Sequence, residues 1–211
     1  MSEREDMALR SATRNLYNQR AADYVETTGR LELFPGLADE LERFAGIALQ
    51  SGLVLDLGCG VGRDSEYLLN KGRTVLAGDL SEAMLKITSD RCRSDRLHLV
   101  QLDMTRLPFE ESVFAGAWIC ASLLHLPSRG ISTALAELYR VLKPAGAVAI
   151  SMTSGSGEGW HAGNSVIESR WCTFMEPGEF SELLAAQGFQ DVTVAWSGRR
   201  DWFITEAYRP S

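Results

Sequence analysis

The chain has 211 residues, with 21 Lys and Arg against 28 Asp and Glu for a formal charge of −7, and 45 % of it is hydrophobic. That is a globular balance, not a disordered one, and the length suits one sizeable domain. An acidic chain with no basic stripe is a poor match for a phosphate backbone, so no nucleic-acid partner is expected.

The segment Met1 to Leu9 carries Glu3, Arg4, Glu5 and Asp6 and lacks the apolar core of a secretory signal. No run approaches the roughly 18 apolar residues of a membrane span, so no membrane partner is expected. Cys59, Cys92, Cys120 and Cys172 are scattered and form no CxxC pair. That points away from a zinc site or a disulfide framework and toward free thiols in the cytoplasm.

Residues Met7 to Thr27 read as a mostly polar helix carrying Tyr17 and Tyr24. Leu37, Leu41, Phe44 and Ala48 recur at helical spacing and place a second helix at Gly36 to Leu49, ended by Ser51-Gly52. Strands and helices then alternate: strand Leu53 to Leu57, helix Arg63 to Lys71 stopped by Gly72, and strand Thr74 to Ala77. Ser81 caps a helix running to Arg93, followed by strands at Leu97 to Leu102 and Val113 to Ala121. A helix at Ser128 to Leu142 ends in Pro144-Ala145-Gly146, and Ala147 to Met152 is the fifth strand. This alternation, with strands apolar on both faces, implies a parallel sheet.

The tail departs from that pattern. Ser154 to Asn164 reads as a Gly- and Ser-rich loop, and Pro177 to Gln187 as a helix closed by Gly188. Strands at Asp191 to Ala195 and Trp202 to Tyr208 flank Ser197-Gly198-Arg199-Arg200, which reads as the turn of an antiparallel hairpin. The fold class is therefore α/β, a three-layer sandwich around a mostly parallel sheet. Residues 1–50 are expected to form a helical lid on a core domain at 51–211.

The chemistry concentrates at Val54-Leu55-Asp56-Leu57-Gly58-Cys59-Gly60-Val61-Gly62-Arg63-Asp64, a strand running through a glycine turn into a helix. Open α/β sheets bind ligands at such strand ends. The spacing is GxGxG, not the GxGxxG of dinucleotide enzymes. Asp56 before the first glycine would repel a pyrophosphate and suit an ammonium. Asp79 ends the next strand, where it suits ribose hydroxyls, and Asp103 follows the third strand, where it suits an adenine amino group. The implied ligand has an adenosine and an amino acid and needs no phosphate.

With Asp79-Leu80-Ser81-Glu82-Ala83-Met84-Leu85, Asp103-Met104, Ser122-Leu123-Leu124-His125-Leu126 and Leu138-Tyr139-Arg140-Val141-Leu142-Lys143-Pro144-Ala145-Gly146 in this order, the chain resembles the class I S-adenosylmethionine (SAM)-dependent methyltransferases from Tyr17 to Tyr208. The resemblance implies a Rossmann-like seven-stranded sheet with an antiparallel last strand. It implies SAM as cofactor and S-adenosylhomocysteine (SAH) as product; the residues themselves show no metal-binding cluster, so no metal is expected. It places Asp56 and the backbone at Gly58, Cys59, Gly60 and Gly62 on the methionine part, and Asp79 on the ribose. Leu80, Met84, Asp103 and Met104 fall on the adenine, and Cys120 and Ala121 near the amino group. Arg63 is implied as partner of the cofactor carboxylate, and the helix carrying Tyr17 and Tyr24 as a lid. Ala145-Gly146 stands where the family usually has Gly-Gly, and Phe114-Ala115 lacks its usual Asp.

His125 follows the fourth strand and is the candidate general base if the acceptor must lose a proton. The bland reading is a structural histidine hydrogen-bonded near the cofactor. His161 lies in the Gly-rich loop over the expected site and reads as an exposed loop residue, with substrate contact as the alternative, and His98 reads as a surface or sheet-edge residue. Cys59 and Cys120 read as small apolar filler, not nucleophiles. Trp160, Trp171, Phe174, Trp196 and Trp202 cluster in the C-terminal third, with core packing expected to claim more than half and a substrate pocket the rest.

The expected reaction is methyl transfer to the N, O or S atom of a small-molecule acceptor, by a monomer or homodimer. The alternatives are a nicotinamide-dependent oxidoreductase and a SAM-binding protein without transferase activity.

Overall fold

The computed structural model describes residues 3–48, 52–162 and 169–211. The expected Leu49 and Ser51 at the end of the second helix, and residues 163 and 164 of the expected loop, lie outside the described residues.

A seven-stranded sheet forms the centre: β1 (Leu53–Leu57), β2 (Thr74–Asp79), β3 (Leu97–Gln101), β4 (Phe114–Cys120), β5 (Leu142–Thr153), β8 (Gln190–Trp196) and β9 (Trp202–Tyr208), in the order β3-β2-β1-β4-β5-β9-β8. β1 through β5 pair in parallel, and β9 runs antiparallel to both β5 and β8. The strand order turns back between β1 and β4, and the carboxyl ends of these strands open into a crevice there.

Alternate residues of the central strands go to opposite faces. Leu55, Leu57, Ile119, Val148 and Ile150 join one buried cluster with Leu135, Leu138, Phe180 and Leu184. These last come from α5 (Ser128–Val141) and α6 (Pro177–Ala186). Val54, Trp118, Ala149 and Ile204 join a second cluster with Leu37, Leu41 and Phe44 of α2 (Leu37–Ile47). Helices therefore cover both faces, as the buried apolar strands required. β3 and β8 are edge strands and stay largely exposed.

α3 (Arg63–Asn70) and α4 (Glu82–Arg91) follow β1 and β2. Ser81 caps α4 as expected, its hydroxyl accepting from Met84 N–H at 3.2 Å. The carbonyl end of α2 is closed by Arg73, a buried cation that donates to the Ala45 and Ala48 carbonyls.

α1 (Glu3–Thr28) starts earlier than expected. It has no apolar stripe and docks largely through polar contacts. Asn18 Oδ1 accepts from Ser81 Oγ at 2.6 Å and from Ala83 N–H at 3.2 Å. Arg10 Nε lies 3.3 Å from Asp103. A small apolar seam of Ala21, Val61 and Met84, with Tyr17 and Tyr24 against it, fills the rest.

The expected loop after β5 is in part a strand. β6 (Glu158–His161) pairs antiparallel with β7 (Arg170–Thr173) as a two-stranded sheet. β5 itself starts earlier than expected, at Leu142, and passes Ala145 at φ 59°.

Candidate active site

After β1 the chain turns through Gly58, Gly60 and Gly62 at φ 79°, 54° and 77°. Residues with a Cβ disfavour this left-handed region. The three glycines serve different ends. A Cβ on Gly58 would lie 2.3 Å from Ser122 Cβ, and one on Gly62 would lie 2.8 Å from Thr88 Cγ2. A Cβ on Gly60 would meet nothing within 4 Å. Gly58 and Gly62 let the turn pack on the fold, whereas Gly60 faces open space.

That space is a cavity of about 790 Å³ at the strand ends, the size of a small-molecule site. Gly58, Cys59, Gly60, Arg63, Asp79, Leu80, Met84, Asp103, Met104, Cys120, Ala121, His125, Tyr17 and Tyr24 all line it. The fold thus brings together every expected site residue except Asp56 and Gly62.

Asp56 corrects an expectation. It is 2 % exposed beneath the turn, and its Oδ2 accepts from Ser65 Oγ at 2.5 Å. Burial, then the neighbouring Asp64 carboxylate, pushes its carboxyl well above the usual range. It therefore braces the turn in its neutral form and does not meet a ligand ammonium directly. Gly62 is likewise behind the wall, packed on Thr88.

Asp79, expected on the ribose, ends β2 and lines the cavity. Its Oδ2 accepts from Gly60 N–H at 2.9 Å and its Oδ1 from Ser81 N–H at 2.8 Å. Burial raises its pKa, and these amides pull the other way. Asp103 is already engaged: Oδ1 accepts from Thr105 N–H at 2.9 Å and Thr105 Oγ at 2.7 Å, and Oδ2 faces Arg10.

Arg63 forks onto Asp64, with Nε to Oδ1 at 2.7 Å and Nη2 to Oδ2 at 3.1 Å, and donates from Nη1 to the Thr28 carbonyl at 3.1 Å. Trp118 Nε1–H also donates to Asp64 Oδ2, at 2.9 Å. The guanidinium that was expected to meet the cofactor carboxylate thus arrives paired, with N–H capacity left over.

His125 sits in a short 3-10 turn after β4. Its Nδ1 is 2.9 Å from the Trp171 carbonyl, and its Nε2 is 2.8 Å from Tyr17 Oη. A carbonyl only accepts, so Nδ1 carries the hydrogen and Nε2 accepts from the tyrosine hydroxyl. Burial, then the Arg170 charge, holds His125 down at about 4. Burial likewise pushes the Tyr17 hydroxyl well above its ordinary value. Both groups are neutral at neutral pH, and a base of pKa about 4 is weak there. The geometry fits a group that positions Tyr17 better than one that removes a proton.

Burial first of all pushes the Cys59 thiol well up and the Cys120 thiol up to about 11, so both stay protonated at neutral pH, which suits filler. The aromatic expectation is corrected: among the described residues none of Trp160, Trp171, Phe174, Trp196 and Trp202 is buried. Trp160 and Trp196 are exposed, while Phe174 and Trp202 line the cavity. His161 also lines it, edge-on to Phe174 at 4.8 Å between ring centres.

Arg10 and Arg170 were missed from the sequence, as was the Trp171 carbonyl that meets His125 Nδ1. Arg10 sits in a helix with no pattern to mark its inner face. The other two lie in β7, whose pairing with a glycine-containing strand leaves no local signal.

Comparison with known proteins bears on this site. A methyltransferase-domain family profile matches residues 54–146. Methyltransferase GfsG of Streptomyces halstedii is 37 % identical over 103 residues, 46 % of this chain and 36 % of that protein. Malonyl-[acyl-carrier protein] O-methyltransferase of Pseudescherichia vulneris is 32 % identical over 147 residues, 69 % of this chain and 54 % of that protein. The chain thus spans roughly a third to a half of the length of these curated relatives. The fold matches the crystal structure of Burkholderia thailandensis 1,6-didemethyltoxoflavin-N1-methyltransferase, which contains 1,6-didemethyltoxoflavin and SAH. The TM-score is 0.71 at 23 % identity, covering 100 % of this chain and 92 % of that one. None of these relatives supports the nicotinamide alternative.

Proposed function

We propose that this chain, which belongs to the class I SAM-dependent methyltransferases through its methyltransferase domain at residues 54–146, moves a methyl group from SAM to an N, O or S atom of a small-molecule acceptor. The observation that carries the reading is the bare Gly60 backbone facing the cavity while Asp79 grips its amide. A ligand laid across that turn touches backbone and carboxylate at once, with no Cβ in the way.

The residues present suit the cofactor. Asp79 accepts from ribose hydroxyls. Leu80, Met84 and Met104 offer an apolar slot for adenine, beside Asp103. The spare N–H of Arg63 meets the amino-acid carboxylate. Tyr17 and Tyr24, packed edge-on with ring centres 5.5 Å apart, bring α1 over the cavity as a lid.

SAM supplies a sulfonium methyl that is already activated for displacement. The protein's task is alignment and exclusion of water. α1 and the β6–β7 hairpin close over the strand ends, and His125 fixes the rotamer of Tyr17 at the point where the acceptor enters. Held there, SAM would supply the methyl group, and these residues would align its sulfonium with an acceptor lone pair that is already free of a proton.

The test is incubation with methyl-labelled SAM and a library of small amines, hydroxyl compounds, carboxylic acids and thiols, read as labelled product and SAH. Labelled product from one class is expected. SAH binding without labelled product from any class would contradict transfer.

A further inference from the structure

The cavity is cationic in an acidic chain. Among the described residues, six arginines and three aspartates line it, in a protein whose net charge is −7. Most of these charges are matched. Arg63 pairs with Asp64 and Arg10 with Asp103. Arg199 pairs with Glu40 at 3.1 Å, and Arg200 with Asp201. Asp79 is satisfied by two backbone amides.

Neither Arg14 nor Arg170 makes an ion pair with any described residue, but Arg14 is exposed on α1, in reach of water, whereas Arg170 is partly buried on β7. The groups that feel its charge are Tyr17, Tyr24, Cys172 and His125. The two hydroxyls and the imidazole are neutral at neutral pH. A guanidinium withdrawn from water toward neutral groups is costly unless something anionic joins it. Its planar fork suits a carboxylate or phosphate held by two parallel hydrogen bonds.

Its place in the fold says which ligand that is. The glycine turn, Asp79 and Asp103 belong to the main sheet, and Arg63 stands at the turn with its own share of donors. Arg170 belongs to the separate β6–β7 hairpin, cross-strand from His161, with Phe174 just beyond it.

We propose that the methyl acceptor is an organic anion whose carboxylate or phosphate is bound by Arg170 beside the Tyr17–His125 pair. The proposal rests on the methyltransferase reading above. It also gives the weak basicity of His125 a reason: a carboxylate that is itself the acceptor carries its lone pair unprotonated at neutral pH and needs no base.

The test is calorimetric titration of the SAH-loaded protein with two matched probe pairs, benzoate against benzamide and phenyl phosphate against phenol. The wild type should prefer the anion of at least one pair by about 30-fold, the scale of a desolvated charge pair. Whichever pair shows the preference identifies carboxylate or phosphate as the group. Arg170→Met should abolish the preference and leave SAH affinity unchanged, and Arg170→Lys should keep part of it.

Equal binding within both pairs, no binding of either anion, or a preference that survives Arg170→Met would overturn the proposal. Weakened SAH binding in Arg170→Met would also overturn it, because the guanidinium would then serve the cofactor. Failure of the wild type to bind SAH would count against the methyltransferase reading instead. The charge preference would then be read on the protein alone, by the same ratios.

Discussion

Gly58 and Gly60 have the same backbone handedness but different surroundings, and alanine should separate the two effects. Both sit at positive φ, 79° and 54°, which costs alanine about 1–2 kcal/mol. At Gly58 the new methyl would also lie 2.3 Å from Ser122 Cβ and 2.5 Å from its Oγ. Ser122 cannot simply swing away, because its hydroxyl donates to the Leu57 carbonyl at 2.9 Å. Forcing a methyl into filled space adds about 1–3 kcal/mol. Gly58→Ala should therefore lose about 2–5 kcal/mol and Gly60→Ala only about 1–2 kcal/mol. At Gly60 the methyl enters the cavity, so the larger effect there should be on SAH affinity. Urea unfolding with unchanged m-values, paired with calorimetric titration of SAH, reads both quantities. Equal stability losses would refute the packing argument. Wild-type SAH affinity in Gly60→Ala would refute the assignment of that turn to the cofactor.

Three further outcomes are expected. His125 has a folded pKa of about 4 against an unfolded value near 6.5, so the unfolded chain binds more protons between them. Stability should fall as pH drops through that window, by up to about 3 kcal/mol, and His125→Asn should flatten this slope in urea titrations at pH 4 to 7. An unchanged slope would show that the imidazole is not held neutral. Tyr17→Phe removes the donor to the half-buried Nε2 of His125, which should cost about 1 kcal/mol in thermal or urea unfolding. A loss below about 0.5 kcal/mol would mean the hydrogen bond contributes little. Cys120, pushed up to about 11, should react with iodoacetamide at pH 7.5 more slowly than free cysteine, read by mass spectrometry. Faster reaction would restore it as a candidate nucleophile.

Much of the fold was legible in the sequence because local signals and the global fold agree. β1 and β9 have the expected bounds, and Ser81 caps α4 where a serine precedes the helical pattern. The glycine turn and Asp79 were readable because a turn at a strand end, followed by an acid about a strand and helix later, is a geometric statement written in residue spacing. What escaped depended on tertiary pairing. Glu158-Gly159-Trp160-His161 reads as a loop, and only its partner β7 makes it a strand. Its pairing brings Arg170 and the backbone carbonyl of Trp171 to the site, and neither contact has a local mark.

The misreadings have physical causes as well. Asp56 was assigned to the ligand on its charge, but it lies one side-chain layer beneath the turn, where burial keeps it protonated. More than half of the five C-terminal aromatics were expected in the core and the rest in a pocket. The core takes Phe180, Phe189 and Phe203 instead, and Phe174 and Trp202 pack at its edge and line the cavity. His125 was legible as a site residue, but its occupied Nε2 was not, because Tyr17 is 108 residues away in the chain.

The most direct test of the central claim is calorimetric titration of the protein with SAH, with NADH as the comparison ligand. The account predicts that SAH binds, that NADH does not compete, and that Asp79→Ala weakens SAH by about tenfold or more, the scale of hydrogen bonds to a charged group. Preference for NADH, or SAH binding indifferent to Asp79→Ala, would contradict it.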